Sequence, residues 1–144
     1  MTKAGNFTAA AIVAFMCAAG LTNTQVAPGQ DDAERADLKR THQFKEFSWV
    51  DSRSGDCHLS GILTIFDHGY AIWTASSKTD SSTSGDIWHE ELEVLDAQKR
   101  RLFGFGVWDS PRMFPGSQYN WRKTDSYPRG FFDQADSATS AGDC

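Results

Sequence analysis

The chain has four imidazoles, His42, His58, His68 and His89, and imidazole beside carboxylate is the raw material of acid–base, nucleophilic and metal chemistry. His58 and His89 fall in strand-like runs next to Asp56, Glu90 and Glu91. Alternation along a strand puts His89 and Glu91 on one face and Trp88 and Glu90 on the other. A metal centre needs three or four converging ligands, and no spacing here follows a zinc pattern. No metal and no cofactor are therefore expected, and these residues read as surface polar groups. His68 belongs to a hairpin turn, where a polar tip is ordinary, and His42 closes a polar linker. Trp88-His-Glu-Glu91 is not H-E-x-x-H. Serines are plentiful, yet no G-x-S-x-G turn singles out a nucleophile, and a glycosidase pair could be drawn from almost any of the acids. No catalytic residue is assigned, and the balance leans away from an enzyme. The polar stretch Asp80–Asp86 lacks the D-x-[DN]-x-[DN]-G order of a calcium loop and reads as solvated.

The aromatic residues carry a different chemistry. Five tryptophans, Trp49, Trp73, Trp88, Trp108 and Trp121, are many for this length, and most should fill a core short of interior volume. Trp108 is the exception, because it leads into the proline-bearing loop 109–117. Trp108, Arg112, Met113 and Phe114 together have the composition of a binding surface.

These candidates need elements to hold them. The 144 residues, 40% hydrophobic and 12% aromatic, make one domain. Lys plus Arg number 14 against 19 Asp plus Glu, which gives no electrostatic footprint for nucleic acid. Residues 1–20 have the layout of a secretory signal peptide: Lys3, an apolar run of 11 residues from Ala9 to Ala19, then small residues. Spanning a bilayer takes about 20 apolar residues, so no membrane segment is expected in the mature protein. Met16 before Cys17 does not suit lipid attachment. Cleavage near Gly20 removes Cys17 and leaves Cys57 and Cys144, which in an oxidising compartment read as one disulfide.

Residues 21–43 are polar, with acids preceding bases from Asp31 to Arg40 and Leu38 as the one sizeable apolar anchor, and read as a flexible polar linker. From residue 44 to 144, short aromatic and β-branched runs alternate with turn chemistry, the pattern of an antiparallel meander. His58–Phe66 and Tyr70–Ser77 flank Asp67-His68-Gly69, a hairpin turn in which Gly69 supplies positive φ. Further strands are expected over 87–95, 102–108, 118–124 and 130–133. Ile62 and Phe66 alternate with Leu63 and Ile65, so this strand is apolar on both faces. A small closed antiparallel barrel answers that pattern best, with a compact sandwich as the alternative. Gly104 and Gly106 share one face of their strand, where another backbone can approach closely.

Phe47-Ser-Trp49, Ser54-Gly-Asp-Cys57, the polar run before Ile87-Trp88, Tyr119-Asn-Trp121, Gly130-Phe-Phe-Asp133 and the terminal Cys144 resemble a family of small secreted bacterial proteins classed as a domain of unknown function. The resemblance spans 44–144 and implies the same Cys57–Cys144 bridge. The family's run before the tryptophan is rich in Asp. Here it is mostly Ser and Thr, which removes the basis for carrying over a cation site. The sequence therefore predicts a secreted, monomeric, disulfide-closed β-domain that binds an extracellular protein or small ligand. The alternatives are a small secreted hydrolase or a protein inhibitor acting through loop 109–117.

Overall fold

Seven strands alternate with tight turns because glycines and polar pairs interrupt each apolar run. The computed structural model describes residues 29–144. The expected signal segment, Cys17 and residues 21–28 of the expected linker lie outside the described residues. In order come helix α1 (Gln30–Thr41) and strands β1 (Phe44–Ser54), β2 (Cys57–Phe66), β3 (Tyr70–Thr79), β4 (His89–Leu95), β5 (Arg101–Asp109), β6 (Tyr119–Ser126) and β7 (Ser137–Ser140). One sheet runs β1-β2-β3-β6 and the other β5-β4-β7, with every pairing antiparallel.

The β2–β3 hairpin matches its expected position. Gly69 takes φ 89° and donates its N–H to the Phe66 carbonyl at 2.9 Å. Register then runs from Phe66↔Tyr70 to Cys57↔Thr79 without a break. One face of this sheet carries Leu63, Ile65, Trp73, Ala75 and Trp121, which join Leu92, Val94, Phe103 and Phe105 of the other sheet in one core. Trp49, Trp73 and Trp121 meet edge to face, with ring centroids 5.6 and 6.2 Å apart. A Cβ on Gly61 would clash with the Trp73 ring, so only glycine fits opposite that indole.

The sheets do not close, which corrects the barrel expectation. After β3 the chain leaves for the second sheet and returns as β6 beside β3, so β1 and β6 remain opposite edges of the first sheet. β1 is blunted as an edge by Lys45, Arg53 and a register shift between Trp49 and Ser52. The two-faced apolar pattern of β2 has another cause. Its second face, with Thr64 and Phe66 fully buried beside Ile72 of β3, lies under α1.

That helix replaces the expected linker over residues 30–41. Asp31 and Asp32 in its first turn and Lys39 and Arg40 in its last complement the helix dipole. No helix side chain is fully buried; polar contacts fasten it across the sheet. Arg35 donates to Thr74 Oγ1 at 3.0 Å and pairs with Glu46 at 3.3 Å. Arg122 on β6 reaches Glu34 at 2.8 Å and Asp31 at 3.6 Å.

Two strand boundaries also change. The expected strand at 130–133 is instead a 3₁₀ turn over Arg129–Phe131, and the last strand is β7, in the small-residue tail. β7 pairs with β4 from Leu92↔Ser140 to Leu95↔Ser137. Gly104 and Gly106 do admit a close backbone: Cβ atoms there would lie 3.0 Å from the Leu92 carbonyl oxygen and 2.7 Å from that of Glu90. Among the described residues no helix is long and apolar enough to cross a membrane.

Candidate functional site

The turns at one end of the domain converge on the Cys57–Cys144 disulfide, which is formed with Cα atoms 6.2 Å apart. β7 delivers Cys144 there, and a two-way backbone bridge between His89 and Asp143 holds the last residues against β4. Asp86 lies 3.7 Å from Cys57 Sγ, but its Oδ2 accepts a 2.7 Å bond from the Thr79 hydroxyl. The oxidised sulfurs offer no thiolate, so this group is not a metal site.

His58 occupies the start of β2 between two carboxylates. Its Nδ1 is 2.7 Å from Asp51 Oδ1 and its Nε2 is 2.7 Å from Asp80 Oδ2. Asp51 reaches it because the β1 bulge puts that residue at φ 51°, with its N–H donating to Ser60 Oγ at 3.0 Å. The bonds to Asp51 and then Asp80 raise the imidazole above its ordinary range, since only the imidazolium donates from both nitrogens. The same bonds lower both carboxyls. With both nitrogens engaged, His58 staples the bulge to the polar loop 80–86.

His89, the other candidate imidazole, places Nδ1 2.7 Å from Asp109 Oδ1 on the exposed rim. Behind it Glu90 is fully buried. It accepts bonds from Trp88 Nε1 at 2.8 Å and Ser140 Oγ at 2.6 Å. Burial nevertheless pushes its carboxyl above the usual range, as no cation among the described residues faces it. Asp80 and Asp86 turn to different protein partners, His58 and Thr79, which fits the reading of 80–86 as a polar loop.

The expected binding surface divides. Met113 is fully buried, which corrects its assignment to the surface: it exchanges backbone bonds with Asp86 at 2.7 and 2.9 Å, and its side chain anchors the loop in the core. Arg112 donates to the Ser84 and Gly85 carbonyls at 3.2 and 2.9 Å, locking loop 109–117 to loop 80–86. Phe114 remains 47% exposed. Trp108 is half-buried and stacks on Phe105 with centroids 5.4 Å apart. The residue missed from sequence is Val107, 64% exposed. A valine in a strand reads as core, and only the turn of β5 around Gly106 presents it to solvent. Val107 borders a shallow groove of about 370 Å³ lined with His89, Glu91, Ala141, Gly142 and Asp143.

At the opposite end of the domain, His42, Asp67 and His68 gather ligand-type atoms within 4.8 Å of one another. Sequence spacing could not show this, because His42 belongs to the helix–strand junction and the others to the hairpin tip.

A sequence profile described as a family of unknown function (DUF6294) matches residues 62–144. The chain belongs to that family. The DUF6294 match contains the hairpin from Ile62 onward, loop 109–117, Glu90 and Cys144; α1, β1 and the start of β2 with Cys57 and His58 precede it. No curated protein and no solved structure matches the chain.

Proposed function

We propose that this DUF6294 protein is a secreted binding module that recognises an extracellular protein or small ligand at its disulfide end. The observation that carries this reading is a rim with two exposed apolar side chains, Val107 on β5, next in sequence to half-buried Trp108, and Phe114 on loop 109–117. Buried Met113 and the Arg112 carbonyl bonds support this rim, so little conformational freedom is lost when a ligand docks. Exposed apolar anchors at the end of β5 and on loop 109–117, with polar His89 and Glu91 sharing the groove of Val107, follow the layout of a binding interface.

Chemistry at the imidazoles also favours binding over hydrolysis. Each of the four faces an aspartate: His42 and His68 face Asp67, His58 faces Asp51 and Asp80, and His89 faces Asp109. A serine hydrolase needs a hydroxyl on the imidazole nitrogen that does not face the aspartate, and among the described residues the imidazole hydrogen bonds all go to carboxylates. Secretion fits the closed disulfide and the signal-like residues 1–20. The anchoring of Met113 favours a second reading, an inhibitor that presents loop 109–117 as a preorganised segment.

The test is capture from the medium in which the protein is exported, comparing the wild type with the double variant Val107→Asp/Phe114→Asp. The binding reading expects a ligand retained by the wild type and weakened at least tenfold by the variant, and a captured protease would select the inhibitor. Equal retention by both proteins contradicts it. So does turnover of ester, amide or glycoside substrates that one polar substitution abolishes.

A further inference from the structure

We propose that His42, Asp67 and His68 form a binding site for one divalent transition-metal ion of the zinc class, joining the C-terminal end of α1 to the tip of the β2–β3 hairpin. The three side chains offer two imidazole nitrogens and one carboxylate oxygen, all within 4.8 Å of one another. His42 Nδ1 lies 3.1 Å and His68 Nδ1 lies 3.6 Å from Asp67 Oδ1. Ligands on a tetrahedral zinc ion, each bound at about 2.05 Å, stand about 3.3 Å apart. The two His–Asp distances are therefore already close to the edges of such a site, and rotations of the two rings would bring the imidazole nitrogens to the third edge.

The surroundings preorganise this set. Asp67 Oδ2 accepts the Gln43 N–H at 3.3 Å, and the Asp67 N–H donates to the Gln43 carbonyl at 3.0 Å. That pairing turns the remaining oxygen toward the two rings, as outer-shell partners orient ligands in metal centres. The hairpin tip is rigid: Gly69 accepts the Tyr127 N–H at 2.9 Å, and the Tyr127 hydroxyl donates to the Phe66 carbonyl at 2.6 Å. His42 is the C-cap of α1, where the negative end of the helix dipole favours a cation. The His42 and His68 rings lie 4.0 Å apart, centroid to centroid, and would swing apart for both nitrogens to face one tetrahedral ion.

Two imidazoles and one carboxylate select zinc, copper, nickel or cobalt over magnesium or calcium, which prefer all-oxygen shells. Three protein ligands leave a fourth position open to water or to an outside donor. Since Asp67 and His68 lie on the hairpin and His42 on the helix side, bound metal should also fasten α1 over the sheet and raise the unfolding temperature.

The experiment is calorimetric titration of Zn²⁺ into the full chain after chelator treatment and dialysis, with circular dichroism to confirm that each variant is folded. The expected result is saturable uptake of one ion per chain, undisturbed by excess Ca²⁺. Affinity should fall at least tenfold in His42→Ala, His68→Ala and Asp67→Asn and stay at wild-type strength in His89→Ala. His68 is exposed at the turn, so its variant reports on the site even where Asp67→Asn perturbs folding. Absence of one-to-one uptake by the wild type overturns the proposal. So does displacement of the zinc by Ca²⁺, or wild-type affinity in a folded His42→Ala/His68→Ala double variant.

Discussion

Replacing Cys144 with serine removes the covalent closure and little else. Cys144 is exposed, so the serine meets water, and Cys57 keeps its buried place in the core. β7 and the His89–Asp143 bridge continue to hold the tail, which places the loss in the unfolded chain. The bond joins residues 87 apart in sequence, and the chain-entropy relation assigns a loop of that length about 4 to 5 kcal/mol at 25 °C. Small domains have a total of about 5 to 15 kcal/mol, so the variant should be near the limit of folding. With a urea slope of about 1.5 kcal/mol/M, the midpoint should fall by about 3 M. Tryptophan fluorescence in a urea series reads this directly, and reduced wild type should follow the Cys144→Ser curve. A shift smaller than about 0.7 M, or about 1 kcal/mol at that slope, would refute the argument that the bond constrains the unfolded chain.

Three other perturbations address separate features. Glu90 has its folded carboxyl raised by burial, so its contribution to stability falls as pH rises from the unfolded carboxyl range through the folded one. Glu90→Gln keeps an acceptor for Trp88 and reverses the second bond, its amide donating to the Ser140 oxygen, and should unfold at higher urea than wild type at pH 8, with the gap closing toward pH 4; a less stable variant at pH 8 would contradict this. His58 has its folded imidazole raised by Asp51 and Asp80, so that stabilisation is complete below about pH 6.5 and is lost as pH rises through the folded value. His58→Gln should flatten the stability profile above pH 6.5, and an unchanged slope would remove the staple. Gly61→Ala drives a methyl into the Trp73 ring and should cost about 1 to 3 kcal/mol, measurable as a lower thermal midpoint, whereas a neutral substitution would show that the indole can move aside.

Local chemistry made the β2–β3 hairpin legible, since Asp67-His68-Gly69 specifies a turn whose glycine needs positive φ. Counting cysteines gave the disulfide pairing in the same way, without any geometry. Helix α1 left no hydrophobic trace. It holds to the sheet through Arg35, Glu34 and Asp31, whose partners include residues 39 and 88 positions away, and a polar sequence with one leucine looks the same whether solvated or docked. The barrel and the sandwich share their strand patterns, and only the return of β6 beside β3 decides between them. β7 is written in Ser, Ala and Thr, residues with little strand signal, and pairing with β4 makes it a strand. At the site, Trp108 and Phe114 stood out by type beside the prolines. Met113, expected at the surface, is drawn inward by the bridge to Asp86, and Val107, which no motif singled out, is turned outward at Gly106.

The central claim, recognition at the disulfide end, is tested most directly by hydrogen–deuterium exchange on the full chain with and without the ligand captured from the medium. The account predicts that slowed exchange concentrates in residues 107–117, with the neighbouring segments 80–89 and 141–144 following. Protection confined to α1 and the outer strand β1, with 107–117 unchanged, would contradict it.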